Sequence, residues 1–174
     1  MILRYTPLAR QDLHEIEDYI KKELANPQAA KLVLENEEMM CKIAMSMLRN
    51  EKDCEDAIQS AIMAAFEKLS TLKNEEYFKT WLMRILINTC NKQLRRNKRT
   101  AELTEIQAAL TFSAEEVEVR AAVEALPMKI RQVIILYYSN QFTTKEISEI
   151  LKIPKGTVLS RLDKGRKLLR LELE

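Results

Sequence analysis

Two glycines and a single histidine in 174 residues set narrow limits on this chain. Repeated hairpins need positive-φ corners and a phosphate cradle needs clustered glycines, so all-β architectures, dinucleotide folds and collagen-like repeats are excluded. A helical protein is what remains. The cysteines, Cys41, Cys54 and Cys90, are odd in number and widely spaced. No CxxC pair and no Cys/His cluster exists to hold zinc, so they read as reduced, partly buried thiols, and neither a metal nor a cofactor is expected. His14 lies beside the apolar row Leu13, Ile16, Ile20 and Leu24, where a solvated helix-flank histidine is the expected outcome rather than a general base. As an enzyme the chain reads badly. No run approaches the roughly 18 apolar residues of a membrane span, the densest being Val133 to Tyr138. The opening MILRYTPLAR lacks the cationic-then-apolar layout of a secretory signal, which makes the cytoplasm the expected compartment.

What is abundant is charge, and it is segregated. The formal total of +2 is made of net −3 over residues 1–38, 0 over 39–90, +5 over 91–100, −5 over 101–126 and +5 over 127–174. Two basic blocks separated by an acidic one suggest two polyanion-facing surfaces joined by a segment with another task. Any one block alone would be explained by a solvated face. Two, each ending a strong helical pattern, favour nucleic acid.

Four prolines punctuate the same organisation. Pro7, Pro27, Pro127 and Pro154 each stand immediately before helical periodicity, where a first-turn proline is tolerated. The patterning predicts helices over 7–24, 27–49, 53–71, 74–98, 114–125, 127–139, 144–151 and 155–171. Residues 99–113 are weakly patterned and read as a linker. In the helix 53–71, Ala57, Ile58, Ala61, Ile62, Ala64, Ala65, Phe66 and Leu69 form a wide apolar stripe. Asp53, Glu55, Asp56 and Gln59 crowd its first turns, which the helix dipole alone would explain. In the helix 74–98, Phe78 reads as core, whereas Trp81 suits either core or base stacking. Arg84, Asn88, Asn91, Lys92 and Arg95 recur at steps of three and four and share one polar face, a composition suited to base edges and phosphates.

Residues 144–171 carry the sharpest pattern. Thr143 or Thr144 caps a short helix whose inner side is Ile147, Ile150 and Leu151, and Lys152-Ile153-Pro154 breaks it. The second helix turns Val158, Leu162, Leu168 and Leu169 inward and Lys155, Thr157, Ser160, Arg161 and Lys164 outward. Gly156 at its start allows a close approach of backbone to a phosphate. This is a helix-turn-helix layout with a second helix sized and charged for a major groove. An ordinary helical hairpin with a basic exterior competes, but leaves the small and basic residues of the second helix without a reason.

Taken together, LRNEKDCEDAIQSAIMAAF, YFKTWLMRILINTCNKQLRR and LPMKIRQVIILYYSNQFTTKEISEILKIPKGTVLSRLDKGRKLL resemble regions 2.2, 2.3–2.4 and 4 of the sigma-70 family, in its extracytoplasmic-function (ECF) group. The match runs over about residues 39–171. The resemblance implies an all-α protein of two small helical domains, region 2 over 31–98 and a region 4 helix-turn-helix over 114–174, joined by a linker over 99–113. It implies a non-catalytic subunit that binds core RNA polymerase, directs it to promoter DNA, and is restrained by an anti-sigma factor. Carried over by motif, Asp53, Asp56 and Gln59 would contact the polymerase clamp helices. Trp81, Arg84, Asn88, Asn91, Lys92, Arg95 and Arg96 would engage the −10 element, and Lys155, Gly156, Thr157, Ser160, Arg161 and Lys164 the −35 element. Capturing an unstacked base costs a few kcal/mol, which stacking and basic contacts can return.

Two features depart from that pattern. Asn91 stands where the family often has Asp. Residues 3–30 resemble the opening strand and helices of RelE/ParE-type toxins, without the strands and basic catalytic residues that should follow; they read as an N-terminal helical extension, residues 1–30, outside the sigma pattern. A stand-alone helix-turn-helix regulator would leave residues 39–98 without a purpose, and a toxin-like ribonuclease lacks its catalytic half.

Overall fold

The computed structural model describes residues 27–100 and 114–173. The helix expected over 7–24, His14, nearly all of the toxin-like segment and residues 101–113 of the expected linker lie outside the described residues. Helices α1 (Pro27–Glu35), α2 (Glu37–Leu48), α3 (Glu51–Glu67) and α4 (Phe78–Thr100) form a first lobe. Helices α5 (Ala114–Ala125), α6 (Met128–Ile134, widening into a π turn over Ile135–Ser139), α7 (Thr144–Leu151) and α8 (Lys155–Leu173) form a second. No strand occurs among the described residues.

Side-chain capping sets several boundaries that periodicity misplaces. The helix expected over 27–49 is two helices, because Asn36 leaves the ladder (φ −105°, ψ 1°) and its amide donates to the Leu32 carbonyl at 2.8 Å. The next helix starts at Glu51 rather than at 53, since the Asn50 side chain accepts the Asp53 N–H at 2.9 Å. It ends at Glu67 rather than at 71, the last residues of the expected span closing a separate 3-10 turn, Leu69–Thr71. Asn74 also caps, accepting from the Glu76 N–H at 3.0 Å. What it caps is a second 3-10 turn, Glu75–Tyr77, from which α4 departs.

The first lobe packs α2, α3 and α4 around Met40, Ile43, Ile62, Leu82, Met83 and Leu86, all essentially inaccessible. Burying each such side chain contributes about 1.5–3 kcal/mol. Small residues at Ala57, Ala61 and Ala65, all buried, let α3 lie close against its neighbours. The three cysteines form no disulfide among the described residues and are buried, more deeply than the sequence suggests, with Cys54 Sγ 3.2 Å from Met45 Sδ. Burial pushes the Cys90 thiol up to about 12 and raises Cys54 further.

In the second lobe, Ile130, Val133, Phe142, Ile147, Ile150, Val158 and Leu162 converge. Gly165 is part of that packing: a Cβ there would lie 2.7 Å from Ile134 Cδ1, so α8 presses on α6 closely enough to require glycine. The two lobes share one contiguous apolar core. Arg131 donates across the seam to the Ser46 carbonyl at 3.3 Å and, within its own lobe, to the Leu126 carbonyl at 2.9 Å. Reciprocally, Arg49, at left-handed φ 60° after α2, donates to the Glu124 carbonyl at the end of α5. Each arginine thus satisfies one carbonyl at the end of a helix in the other lobe.

Candidate nucleic-acid interface

The second helix of the helix-turn-helix is positioned by capping at both ends of its predecessor. Thr143 Oγ1 accepts the Glu146 N–H at 3.2 Å while Glu146 Oε2 accepts the Thr143 N–H at 2.8 Å, a reciprocal capping box. Lys152 then turns left-handed (φ 52°, ψ 48°), and Ser148 Oγ donates to the Ile153 carbonyl at 2.6 Å, closing the turn. The Pro154 carbonyl accepts from Thr157 and Val158, so α8 starts at Lys155 as its first turn requires. Along α8, Lys155, Gly156, Ser160 and Lys164 are exposed, Thr157 and Arg161 half-buried, and Val158 and Leu162 buried. Open space surrounds the Cβ direction of Gly156. The expected division into an inner apolar side and an outer basic side holds, with Leu168 and Leu169 half-buried.

The corresponding face of α4 is more occupied. Asn88, Lys92, Arg95 and Arg96 are exposed, while Trp81 is half-buried and tilted against Phe78, ring centroids 5.9 Å apart. Arg84 Nε donates to the Glu149 carbonyl on α7 at 3.1 Å. Asn91 Oδ1 accepts from Gln132 Nε2 on α6 at 3.3 Å. Two residues of the polar face are therefore held by the second lobe, and Lys79 beside them sits 4.7 Å from the centre of the Phe142 ring.

At the start of α3, Asp56 and Gln59 are exposed, whereas Asp53 is not free of its surroundings. Asp53 Oδ1 accepts from Gln93 Nε2 at 3.0 Å and Oδ2 from Asn97 Nδ2 at 2.9 Å. Gln93 and Asn97, a turn apart on α4, were not singled out by sequence reasoning; only their i,i+4 spacing beside the basic block hinted at a shared role. Arg131 and Gln132 were missed as well, although a charge and an amide inside the apolar run from Ile130 to Leu136 were a visible signal of buried polar contacts. Among the described residues no group of His, Cys, Asp and Glu could hold a metal ion, and no helix is long and apolar enough to cross a membrane.

A two-lobed helical protein with a basic-faced helix in each lobe, one of them in a helix-turn-helix, defines a class of nucleic-acid-binding regulator. The sigma-70 region 2 model matches residues 32–100 and the sigma-70 region 4 model residues 116–169. The chain is 32% identical over 152 residues to the ECF RNA polymerase sigma factor SigW of Bacillus subtilis, covering 76% of this chain and 81% of that protein. It is 25% identical over 158 residues to the RNA polymerase sigma factor SigV of the same organism, covering 88% and 95%. The fold is similar to that of the sigma factor RpoE from Bartonella quintana, solved with the anti-sigma factor NepR, at a TM-score of 0.70 and 26% identity over 84% of this chain and 94% of that one. The chain belongs to the ECF group of the sigma-70 family. It is a sigma factor, which binds core RNA polymerase and directs promoter recognition and transcription initiation.

Proposed function

We propose that α8 reads the −35 element as duplex through Lys155, Gly156, Thr157, Ser160, Arg161 and Lys164. The polar face of α4, with Trp81, Arg84, Asn88, Asn91, Lys92, Arg95 and Arg96, takes the −10 element. Asp56 and Gln59, exposed on the first turns of α3, meet the polymerase. In this reading residues 31–98 and 114–174 are the two DNA-engaging domains, 99–113 join them, and 1–30 are an extension. The protein acts in the cytoplasm, carries no catalytic group of its own, and is restrained by an anti-sigma factor of the kind that accompanies the similar RpoE.

The observation that carries the reading is the pair of basic helix faces, one in each lobe, with duplex-reading composition on α8 and stacking plus phosphate-binding composition on α4. Because Arg84 and Asn91 are bonded to α7 and α6, the second lobe must move off α4 before the −10 element can be engaged fully. The closed arrangement is the inactive one. Run-off transcription tests this: core polymerase alone gives no promoter-dependent transcript, and adding the chain produces one. Failure to produce it with any promoter drawn from genomic fragments retrieved by the holoenzyme overturns the reading.

A further inference from the structure

We infer that Asp53 is a positioning residue for the DNA-facing helix, not a polymerase contact: its carboxylate braces the basic end of α4 through Gln93 and Asn97. Both carboxylate oxygens are already used, each by a side-chain amide of α4, at 3.0 and 2.9 Å. The backbone N–H of the same residue is taken by the Asn50 side chain. Its side chain is half-buried and held against α4, unlike Asp56 and Gln59, which are exposed one and two turns on.

The geometry also explains why an acceptor with two oxygens stands here. Gln93 and Asn97 occupy successive turns of α4 and alternate with Lys92, Arg95 and Arg96, in a segment of net +5. Such a segment repels itself and frays if nothing holds it. A carboxylate accepts from both amides at once and lays a negative charge against that block. Neither bond competes with the exposed basic groups, so the helix is fixed in register while its phosphate-facing side stays available.

The inference rests on the assignment of α4 to the −10 element and separates into distinct measurements on the full chain. Asp53→Asn keeps the shape but loses the charge, and one of the two atoms facing the α4 amides can no longer accept. It is expected to bind core polymerase within about twofold of the parent while its holoenzyme binds promoter DNA about tenfold more weakly. The salt dependence of that binding should fall by about one unit of slope, because a misplaced basic block loses a phosphate contact. A chain that is merely less well folded would lower the active fraction and leave the slope unchanged. Gln93→Ala/Asn97→Ala should reproduce the defect, and adding Asp53→Asn to it should cost little more. Asp56→Ala, by contrast, should weaken core binding. Loss of core affinity in Asp53→Asn with an unaltered salt slope, or full additivity of the Asp53 and Gln93/Asn97 effects, overturns the inference. If instead the parent holoenzyme shows no promoter-specific binding, it is the assignment of α4 that has failed.

Discussion

Helices α4 and α8 are built alike and left in different states. Each buries an apolar stripe in its own lobe and turns a polar, largely basic face outward. On α8 the face is open from Lys155 to Lys164, with only Thr157 and Arg161 half-buried. On α4 two of the seven implicated residues, Arg84 and Asn91, are hydrogen-bonded to the other lobe. The α8 face is open as it stands, whereas the α4 face is partly engaged by its own chain. Amphipathicity assigns a residue to the outside of its helix; only tertiary packing decides whether another element lies on top of it.

The seam that makes this difference is electrostatically uneasy. Arg49 and Arg131 approach each other in a largely dehydrated site, and the Nε of each is buried with no hydrogen-bond partner. Burial and the neighbouring Arg49 charge lower the proton affinity of Arg131, and Glu124 offsets this only in part. The contact is strong in its carbonyl bonds and penalised by like charge, a balance suited to a surface that must separate.

Removing Arg131 is the largest perturbation of the comparison. Arg131→Ala strips a donor from the buried Leu126 carbonyl and another from the half-buried Ser46 carbonyl and opens a cavity, and should cost about 3 kcal/mol in urea unfolding. It should also lengthen the distance between dyes placed on α4 and α8, since its bond to the Ser46 carbonyl is one of the polar contacts across the seam. Arg131→Met, which keeps the volume, should cost less yet open the lobes equally. Destabilisation with no change in dye distance would show that the seam is not what holds the lobes together.

Alkaline pH should separate the lobes differently, because all three thiols belong to the first. A buried thiol whose folded pKa is raised stays protonated while the unfolded chain ionises near 8.5, so the stability it contributes is complete below that value and is lost as pH rises toward the folded pKa. Cys54 and Cys90 together should lower stability by about 2.7 kcal/mol per pH unit above about pH 9. Amide exchange should register the loss in α2–α4 before α6–α8, and Cys54→Ala/Cys90→Ala should flatten the pH profile. An equal loss in both lobes would mean that the shared core unfolds as one unit.

On the DNA side, Arg161→Ala should weaken binding to the −35 element by about 1–3 kcal/mol and relax preference at one base position if it makes a base contact. A uniform loss across sequences identifies a phosphate contact instead. Arg95→Ala/Arg96→Ala should reduce the salt slope by about two units, since these exposed residues need no base edge to act.

Much of this was legible in the sequence for identifiable reasons. Periodicity located the apolar sides of α3, α4 and α8, and the prolines marked where α1, α6 and α8 begin. The helix-turn-helix was readable because its capping threonine, its break and its inner residues are all local. What was not readable depended on partners far away in the chain. Asp53 carries the same acidic signature as Asp56, and nothing local says that Gln93 and Asn97, at 40 and 44 residues' separation, take both of its oxygens. Gly165 looked unremarkable until α6 was seen against it. The break at Asn36 was missed because a single asparagine that bonds back to Leu32 does not interrupt the apolar pattern.

The smallest effects test whether α3 and α7, the helices that support the two faces, are equally well anchored at their starts. Asn50→Ala removes one side-chain acceptor from α3, and Thr143→Ala removes the Oγ1 bonds to the Glu146 N–H and carboxylate while leaving the backbone half of the capping box on α7, so each should cost about 1 kcal/mol with Thr143 at the upper end. Their functional consequences should diverge. Losing the Thr143 cap loosens α7, whose Glu149 carbonyl holds Arg84, so the variant should both weaken −35 binding and free part of the α4 face. Losing the Asn50 cap releases the Asp53 backbone and should weaken −10 engagement alone. Urea midpoints paired with separate −10 and −35 affinities read both variants, and identical functional profiles would show that the starts of α3 and α7 report only on global stability.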